Sequence, residues 1–401
     1  MAKRVLLVNK FYYPRGGDCI VMLNTEALLR DCGVDVEVFA MQYPENLSAR
    51  YQDRFASEVS FGGGVGNLVK ALKRTLGLGD VNAQFEHVLD DFKPDVVHLH
   101  NIHSYLSPVV GELAHRRGTR VVWTMHDYKL LCPRYDCLLD SKPCERCFGG
   151  SKHNVLRHRC MKGSLAASGV AWLEALKWNR TTLEQNTDAY VCPSQFMACK
   201  MEQGGFSADK IKVLNNCLDP AKLKFYQQAD ASAPRQDYYC YVGRLSQEKG
   251  IADLLEAASR LPYRLKVAGG GPLESELRAK YASCPNIEFL GMLDAPHVAE
   301  LLSAARLSVV PSQWYENNPL SVVESLCAGT PVVGSRIGGI PELIDEWSGM
   351  TYEAFGQSAL ATTIDTAFAR DWDHTEIARQ SLSRFSPASH LQSLMKDIYL
   401  I

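Results

Sequence analysis

Residues Lys3–Met41 read KRVLLVNKFYYPRGGDCIVMLNTEALLRDCGVDVEVFAM. Lys3–Asn9 is a near-continuous apolar run, as expected of a parallel strand covered on both faces. The loop FYYPRGGD follows, then a helix with apolar spacing from Cys19 to Leu29. Gly33 closes that helix before a second strand at Asp35–Met41. Strand, glycine loop, helix, strand is half of a doubly wound α/β domain.

Further strands are expected at Asp95–Leu99, Arg120–Met125 and Ala189–Cys192. From Asp219 to Asp237 the chain turns polar, and a domain boundary is expected around there. The first domain is taken as 1–217 and the second as 218–379, with a last helix at about 380–401. The second alternation runs through strands at Tyr238–Gly243, Arg264–Ala268, Ile287–Leu290, Leu307–Pro311 and Pro331–Gly334. A chain of 401 residues exceeds one typical core and fits two such domains. A net charge of −2 speaks against a general nucleic-acid binder. There is no apolar run near the roughly 20 residues of a membrane span. The start lacks the sustained apolar segment of a secretory signal, so a cytosolic setting is expected.

In open α/β sheets ligands bind beyond the carboxyl ends of the strands. Those ends read Phe11–Asp18, Asn101–His103, His126–Asp127, Arg244–Gly250, Gly269–Gly271, Ser312–Asn318 and Ser335–Gly339. Two such crests facing each other would make an interdomain cleft. Arg244 and Lys249 could grip an anion, Arg in a bidentate way and Lys as a point charge; the plain alternative is a solvated surface loop. Gly16–Gly17 is not a dinucleotide fingerprint, and serves either a tight turn or close approach to a ligand. His126 directly follows an inner strand, whereas His98, His100 and His103 fit structural roles.

Trp314–Gly329, WYENNPLSVVESLCAG, carries the sharpest signal. Asn318 suits a helix N-cap, Pro319 the first helical position and Gly329 the stop. Leu320, Val323, Leu326 and Cys327 make a core-facing stripe with Glu324 on its margin, where an unpaired carboxylate is costly. With Glu316 ahead of the helix, two acids flank an anion-seeking N-terminus, an arrangement for sugar hydroxyls and phosphate together.

Cys132, Cys137, Cys144, Cys147 and Cys160 fall in one loop-rich stretch, and CERC has zinc-knuckle spacing. A structural zinc held by four of them, disulfides and free thiols compete; the cytosolic setting disfavours disulfides. Gly163–Trp178 is apolar after a basic stretch. A packed core helix leads over an interfacial helix on an anionic membrane surface.

As a set, YVGRLSQEKGIADLLEA, VAGGGP, the seven-residue gap between Glu316 and Glu324, and AGTPVVGSRIGGIPELI resemble the family-4 retaining glycosyltransferases. PDVVHLH and His126–Asp127 add to the likeness, which covers nearly the whole chain. The resemblance implies a GT-B fold, two Rossmann-like domains facing a cleft, with the last helix packing back on the first. It implies transfer of a hexose from a nucleotide diphosphate sugar, a UDP-sugar ahead of GDP-mannose. The acceptor would be a hydroxyl of a glycan or lipid-linked glycan in surface polysaccharide or lipopolysaccharide synthesis, and no catalytic metal is needed. Arg244 and Lys249 would hold the diphosphate, Glu324 the ribose and Glu316 the sugar, with Asn318, Pro319 and Leu320 at its phosphate or hydroxyls. His126 would lie at the reaction centre, and Gly16, Gly17 and Gly270 complete the donor-binding set. Contact with the inner membrane surface would be peripheral. The rival readings are a sugar-nucleotide epimerase and a non-catalytic nucleotide-sugar-binding subunit. The sequence departs from the family at Cys217, where a glycine is usual, and at Asn317, just after Glu316, where a glycine is often found.

Overall fold

The computed structural model describes residues 3–59 and 65–401. The chain divides into two compact units. One comprises Met1–Leu139, Cys144–Leu214 and His390–Ile401; the other comprises Asp140–Pro143 and Asn215–Ser389.

The first unit is built on β1 (Arg4–Val8), β2 (Asp35–Phe39), β3 (Val96–Leu99), β4 (Arg120–Thr124), β5 (Ala189–Cys192) and β6 (Ile211–Val213). They form a parallel sheet of order β2-β1-β3-β4-β5-β6. Val5–Val8, Val96–Leu99 and Val121–Thr124 are buried, as strands covered on both faces must be. The order reverses between β1 and β3, so their carboxyl ends frame the crevice where such sheets take ligands.

The second unit repeats the scheme with β7 (Gln236–Val242), β8 (Arg264–Ala268), β9 (Ile287–Gly291), β10 (Ala305–Val310), β11 (Val332–Ser335) and β12 (Gly349–Tyr352). Its order is β9-β8-β7-β10-β11-β12, all parallel. The reversal lies between β7 and β10, whose ends carry Arg244–Gly250 and Ser312–Asn318. The helix Leu320–Cys327 connects β10 to β11 and packs against His374–Arg384. Arg235 closes its far end, donating to the carbonyls of Ala328 at 3.1 Å and Gly329 at 3.3 Å. A guanidinium on the last carbonyls complements the helix dipole.

The edge strands β6 and β12 carry no clear strand pattern and are additions to the sequence reading. The chain leaves the first unit at Leu214 and returns at His390. The polar run Asp219–Asp237 therefore lies within the second unit, where Leu223–Gln228 is helical. The returning end is a helix, Pro387–Ser393, followed by a π-helical turn, Leu394–Tyr399.

That end is tied to the first sheet by polar contacts. The buried Tyr399 hydroxyl meets His98 Nδ1 at 2.7 Å, and Arg120 Nε donates to the Ile398 carbonyl at 2.8 Å. Tyr399→Phe leaves a buried imidazole nitrogen without its partner. It is expected to cost about 1–3 kcal/mol, read as a lowered thermal midpoint. An unchanged midpoint would mean that this contact does not hold the chain end to the sheet.

Candidate active site

In the second unit the loops after β7, β8, β10 and β11 interlock. Gly338 has φ +61°, and a Cβ there would lie 2.3 Å from the Glu316 carbonyl oxygen. Gly339 N–H donates to that same oxygen at 2.7 Å. A Cβ at Gly250, where φ is +68°, would lie 1.9 Å from the Pro311 carbonyl oxygen. Both positions require glycine, and together they set the backbone of Ser312–Asn318.

Glu316 is buried at 7% exposure, so its charge must be matched. Lys249 Nζ donates to Glu316 Oε1 at 2.6 Å and Ser312 Oγ to the same oxygen at 2.7 Å. Burial is the largest single effect and pushes the Glu316 pKa up, but the Lys249 ammonium and the hydrogen bonds the carboxylate accepts together hold it below its usual range. The Lys249 ammonium also sits 5.2 Å from the Trp314 ring centroid. The Arg244 side chain is exposed and makes no ion pair among the described residues. Gly270 accepts from Leu245 N–H at 2.9 Å, binding the β7 and β8 loops together.

The helix start differs from the sequence expectation. Pro319 is the N-cap, with no side-chain capping bond, and Leu320 is the first helical residue. Asn318 is instead held sideways: its Oδ1 accepts from Asn216 N–H at 3.1 Å, and its carbonyl accepts from Asn216 Nδ2 at 3.0 Å. Asn318 Nδ2 is buried and has no partner among the described residues. A buried amide donor in that state is poised for an acceptor supplied from outside. Glu324 is buried rather than marginal, and it is paired: Lys222 Nζ donates to its Oε1 at 2.6 Å.

Cys217 and Asn317 are not among the positive-φ residues, so neither departure from the family's glycines strains the backbone. Asn216 and Lys222 were missed by sequence reasoning. Asn216 stands in the VLNNCLD run, so its position was a signal. Lys222 lies 102 residues from Glu324 and had none.

In the first unit, His126 stands just past β4 and its Nε2 meets His100 Nδ1 at 2.9 Å. His100 is fixed in turn, its carbonyl accepting from Trp123 Nε1 at 2.9 Å and its ring 4.2 Å from that of His98. Asp127 pairs with His103 at 3.2 Å; burial raises its pKa, but His103 brings it down to about 2. Gly16 is the extended N-cap of the helix Gly17–Asp31, and a Cβ at Gly17 would meet nothing within 4 Å. Asp18 accepts from Asn101 Nδ2 at 3.0 Å, joining the ends of β1 and β3 at the reversal point. Asp18 and Asn101 sit on strand ends visible in the sequence but were given no individual role there, and His100 was read as structural.

The cysteine-rich stretch winds through left-handed conformations at Tyr135, Cys137, Asp140, Ser141, Arg159 and Lys162. Among the described residues no group of three or more His, Cys, Asp or Glu is drawn together to hold a metal ion. Cys132, Cys137, Cys144, Cys147 and Cys160 are free thiols. The Cys137 thiol donates to Cys132 and lowers the Cys132 pKa to about 7. The helix Leu165–Lys177 corrects the core-helix reading. It buries Ser168, Ala171 and Glu174, while Leu165, Leu173 and Leu176 are 57%, 41% and 48% exposed. The inward acid is the reason: Glu174 takes Lys129 at 2.9 Å and Ser104 at 2.8 Å, so the polar side is the packed side. Among the described residues no helix is long and apolar enough to cross a membrane.

Residues 20–217 match the glycosyl transferase 4-like domain, and residues 222–383 match the glycosyl transferases group 1. The chain belongs to the glycosyltransferases. A protein of the cps region of Klebsiella pneumoniae is 28% identical over 263 residues, 65% of this chain and 62% of its own. A GDP-mannose-dependent phosphatidylinositol dimannoside mannosyltransferase of Mycobacterium tuberculosis is 34% identical over 149 residues, 36% of this chain and 38% of its own. The chain thus spans less than two thirds of the length of these curated relatives. Among solved structures, an Anabaena protein in complex with UDP and glucose superposes with a TM-score of 0.64 at 18% identity, over 100% of both chains. The apo lipopolysaccharide outer core galactosyltransferase gives 0.67 at 15% identity, over 99% of both. This glycosyltransferase therefore has the GT-B fold, built from two Rossmann-like units.

The three histidines at the end of the first sheet carry a pH consequence. Burial, the leading cause in each, lowers His98 to about 3 and also lowers His100 and His126. The unfolded chain takes up these protons near the ordinary histidine pKa, and the folded one does not. Stability is thus complete above about pH 6.5 and declines as pH falls. From about pH 6.5 to about pH 5, His98 alone accounts for about 2 kcal/mol. Thermal melts at both pH values should show the loss, smaller in His98→Asn; identical midpoints would contradict the buried neutral rings.

Proposed function

We propose that this glycosyltransferase moves a hexose from a nucleotide diphosphate sugar to a hydroxyl of a glycan or lipid-linked glycan, with retention at the anomeric carbon. The observation that carries the donor class is Asn318 Nδ2, without a partner among the described residues and two positions from Glu316 of the Lys249–Glu316 pair. Amide, ammonium and exposed Arg244 suit the oxygens of a diphosphate, and the two carboxylates suit hydroxyls. A UDP-sugar is favoured, in line with the UDP and glucose bound by the Anabaena protein; GDP-mannose, used by the mycobacterial relative, is the second donor to test. The relative from a cps region is in line with a role in polysaccharide synthesis, and we place that role at the cytoplasmic side as part of the proposal.

In the mechanism we favour, the acceptor hydroxyl attacks the anomeric carbon from the face the diphosphate leaves. The bond from that carbon to the phosphate oxygen breaks as the new glycosidic bond forms. The acceptor proton passes to a β-phosphate oxygen of the leaving group. Lys249 and Arg244 offset the charge that develops on it, and the protein needs no metal for this. Glu316 is held by Lys249 and Ser312, which favours a positioning role toward the sugar over nucleophilic attack. His126, kept neutral by burial, is proposed to donate or accept a hydrogen bond at the transferring sugar.

The exposed leucines of Leu165–Lys177 favour peripheral contact with an anionic membrane face, which vesicle co-sedimentation would read. The zinc reading of the cysteines rests on their spacing alone, and elemental analysis of purified protein decides it.

Radiolabelled UDP-sugars and GDP-mannose, with and without a lipid-linked acceptor, test the reading. Acceptor-dependent transfer is expected; epimerised donor without acceptor, or no turnover, would replace it with one of its rivals. Lys249→Ala should lower turnover by about a hundredfold, and unchanged turnover would sink the diphosphate role.

A further inference from the structure

The segment Asn215–Lys222, NNCLDPAK, opens the second unit and departs from the family pattern. Two of its side chains reach the helix Leu320–Cys327 and the loop before it. Asn216 braces Asn318 through two hydrogen bonds, of 3.1 and 3.0 Å. Lys222 Nζ donates to Glu324 Oε1 at 2.6 Å. The Glu324 side chain is 10% exposed, and that of Lys222 is 27% exposed. The lysine thus reaches the carboxylate from the partly open side.

We propose that Lys222 is the positioning residue of the ribose pocket: it holds one oxygen of Glu324 so that the other is presented to a ribose hydroxyl of a nucleoside diphosphate. This rests on the reading of Glu324 as the ribose acceptor. A buried carboxylate without a cation protonates or turns toward solvent, and in either case loses its fixed acceptor lone pairs. An anionic diphosphate is repelled by unmatched carboxylates, and each acid here is neutralised by its own lysine, Glu316 by Lys249 and Glu324 by Lys222. Arg244, exposed and in no ion pair among the described residues, then keeps its charge for the diphosphate.

The test is calorimetric binding of UDP, 2′-deoxy-UDP and 3′-deoxy-UDP to the full chain, with the GDP set run in parallel. The series that binds the wild type more tightly is scored. Lys222→Met keeps the aliphatic stem and removes the ammonium; Lys222→Arg keeps the charge. Lys222→Met should weaken the ribonucleotide by about tenfold and leave the deoxy form lacking the recognised hydroxyl nearly unchanged. Lys222→Arg should recover much of the loss. Equal weakening of all three ligands, no weakening, or tighter binding would overturn the proposal.

Glu324→Gln separates this inference from the reading beneath it. If it discriminates ribose from both deoxyriboses as the wild type does, Glu324 is not the ribose acceptor. If it loses that discrimination while Lys222→Met keeps it, only the role of Lys222 falls.

Discussion

A parallel sheet covered on both faces can carry no chemistry along its strands. The side chains of Val5–Val8, Val96–Leu99 and Val332–Ser335 are buried and, apart from the hydrogen-bonded His98 and Ser335, apolar or absent, so most polar groups gather at the strand ends. In each unit the strand order reverses once near its middle, opening a crevice at those ends. Asp18, Asn101 and the histidines collect at one reversal; Arg244–Gly250 and Ser312–Asn318 collect at the other. The location of both groups of candidate residues follows from this constraint.

Within the second unit, burial then dictates pairing. Glu316 and Glu324 are both nearly inaccessible, and each is met by a lysine at 2.6 Å. Such pairs add little net stability, because desolvation offsets attraction, yet removing one partner is costly. Their value here is orientation. Each fixes one oxygen of its carboxylate, near an amide donor at Asn318 that has no partner of its own among the described residues.

The first unit solves the same problem with neutral groups. His98, His100 and His126 are stripped of their charge by burial and linked ring to ring. The end of the chain enters this network through Tyr399, so residues remote in sequence set the environment of the histidine at the end of β4.

The alternation of apolar runs with glycine loops determined two α/β units, because strand and helix periods are local properties of a chain. Glu316, Glu324, Lys249 and Arg244 were legible for the same reason: they lie on short loops whose neighbours set their place. Only the tertiary structure decided who pairs with whom. Lys222 finds Glu324, and Asn216 displaces the capping role expected of Asn318, because the segment after β6 folds against a helix about a hundred residues on. It also turned the helix Leu165–Lys177 so that its leucines face outward, since the buried acid Glu174 has its cation, Lys129, on the inner side. Periodicity says that one face of a helix is buried. Which face that is depends on partners distant in the chain, where local pattern holds no information.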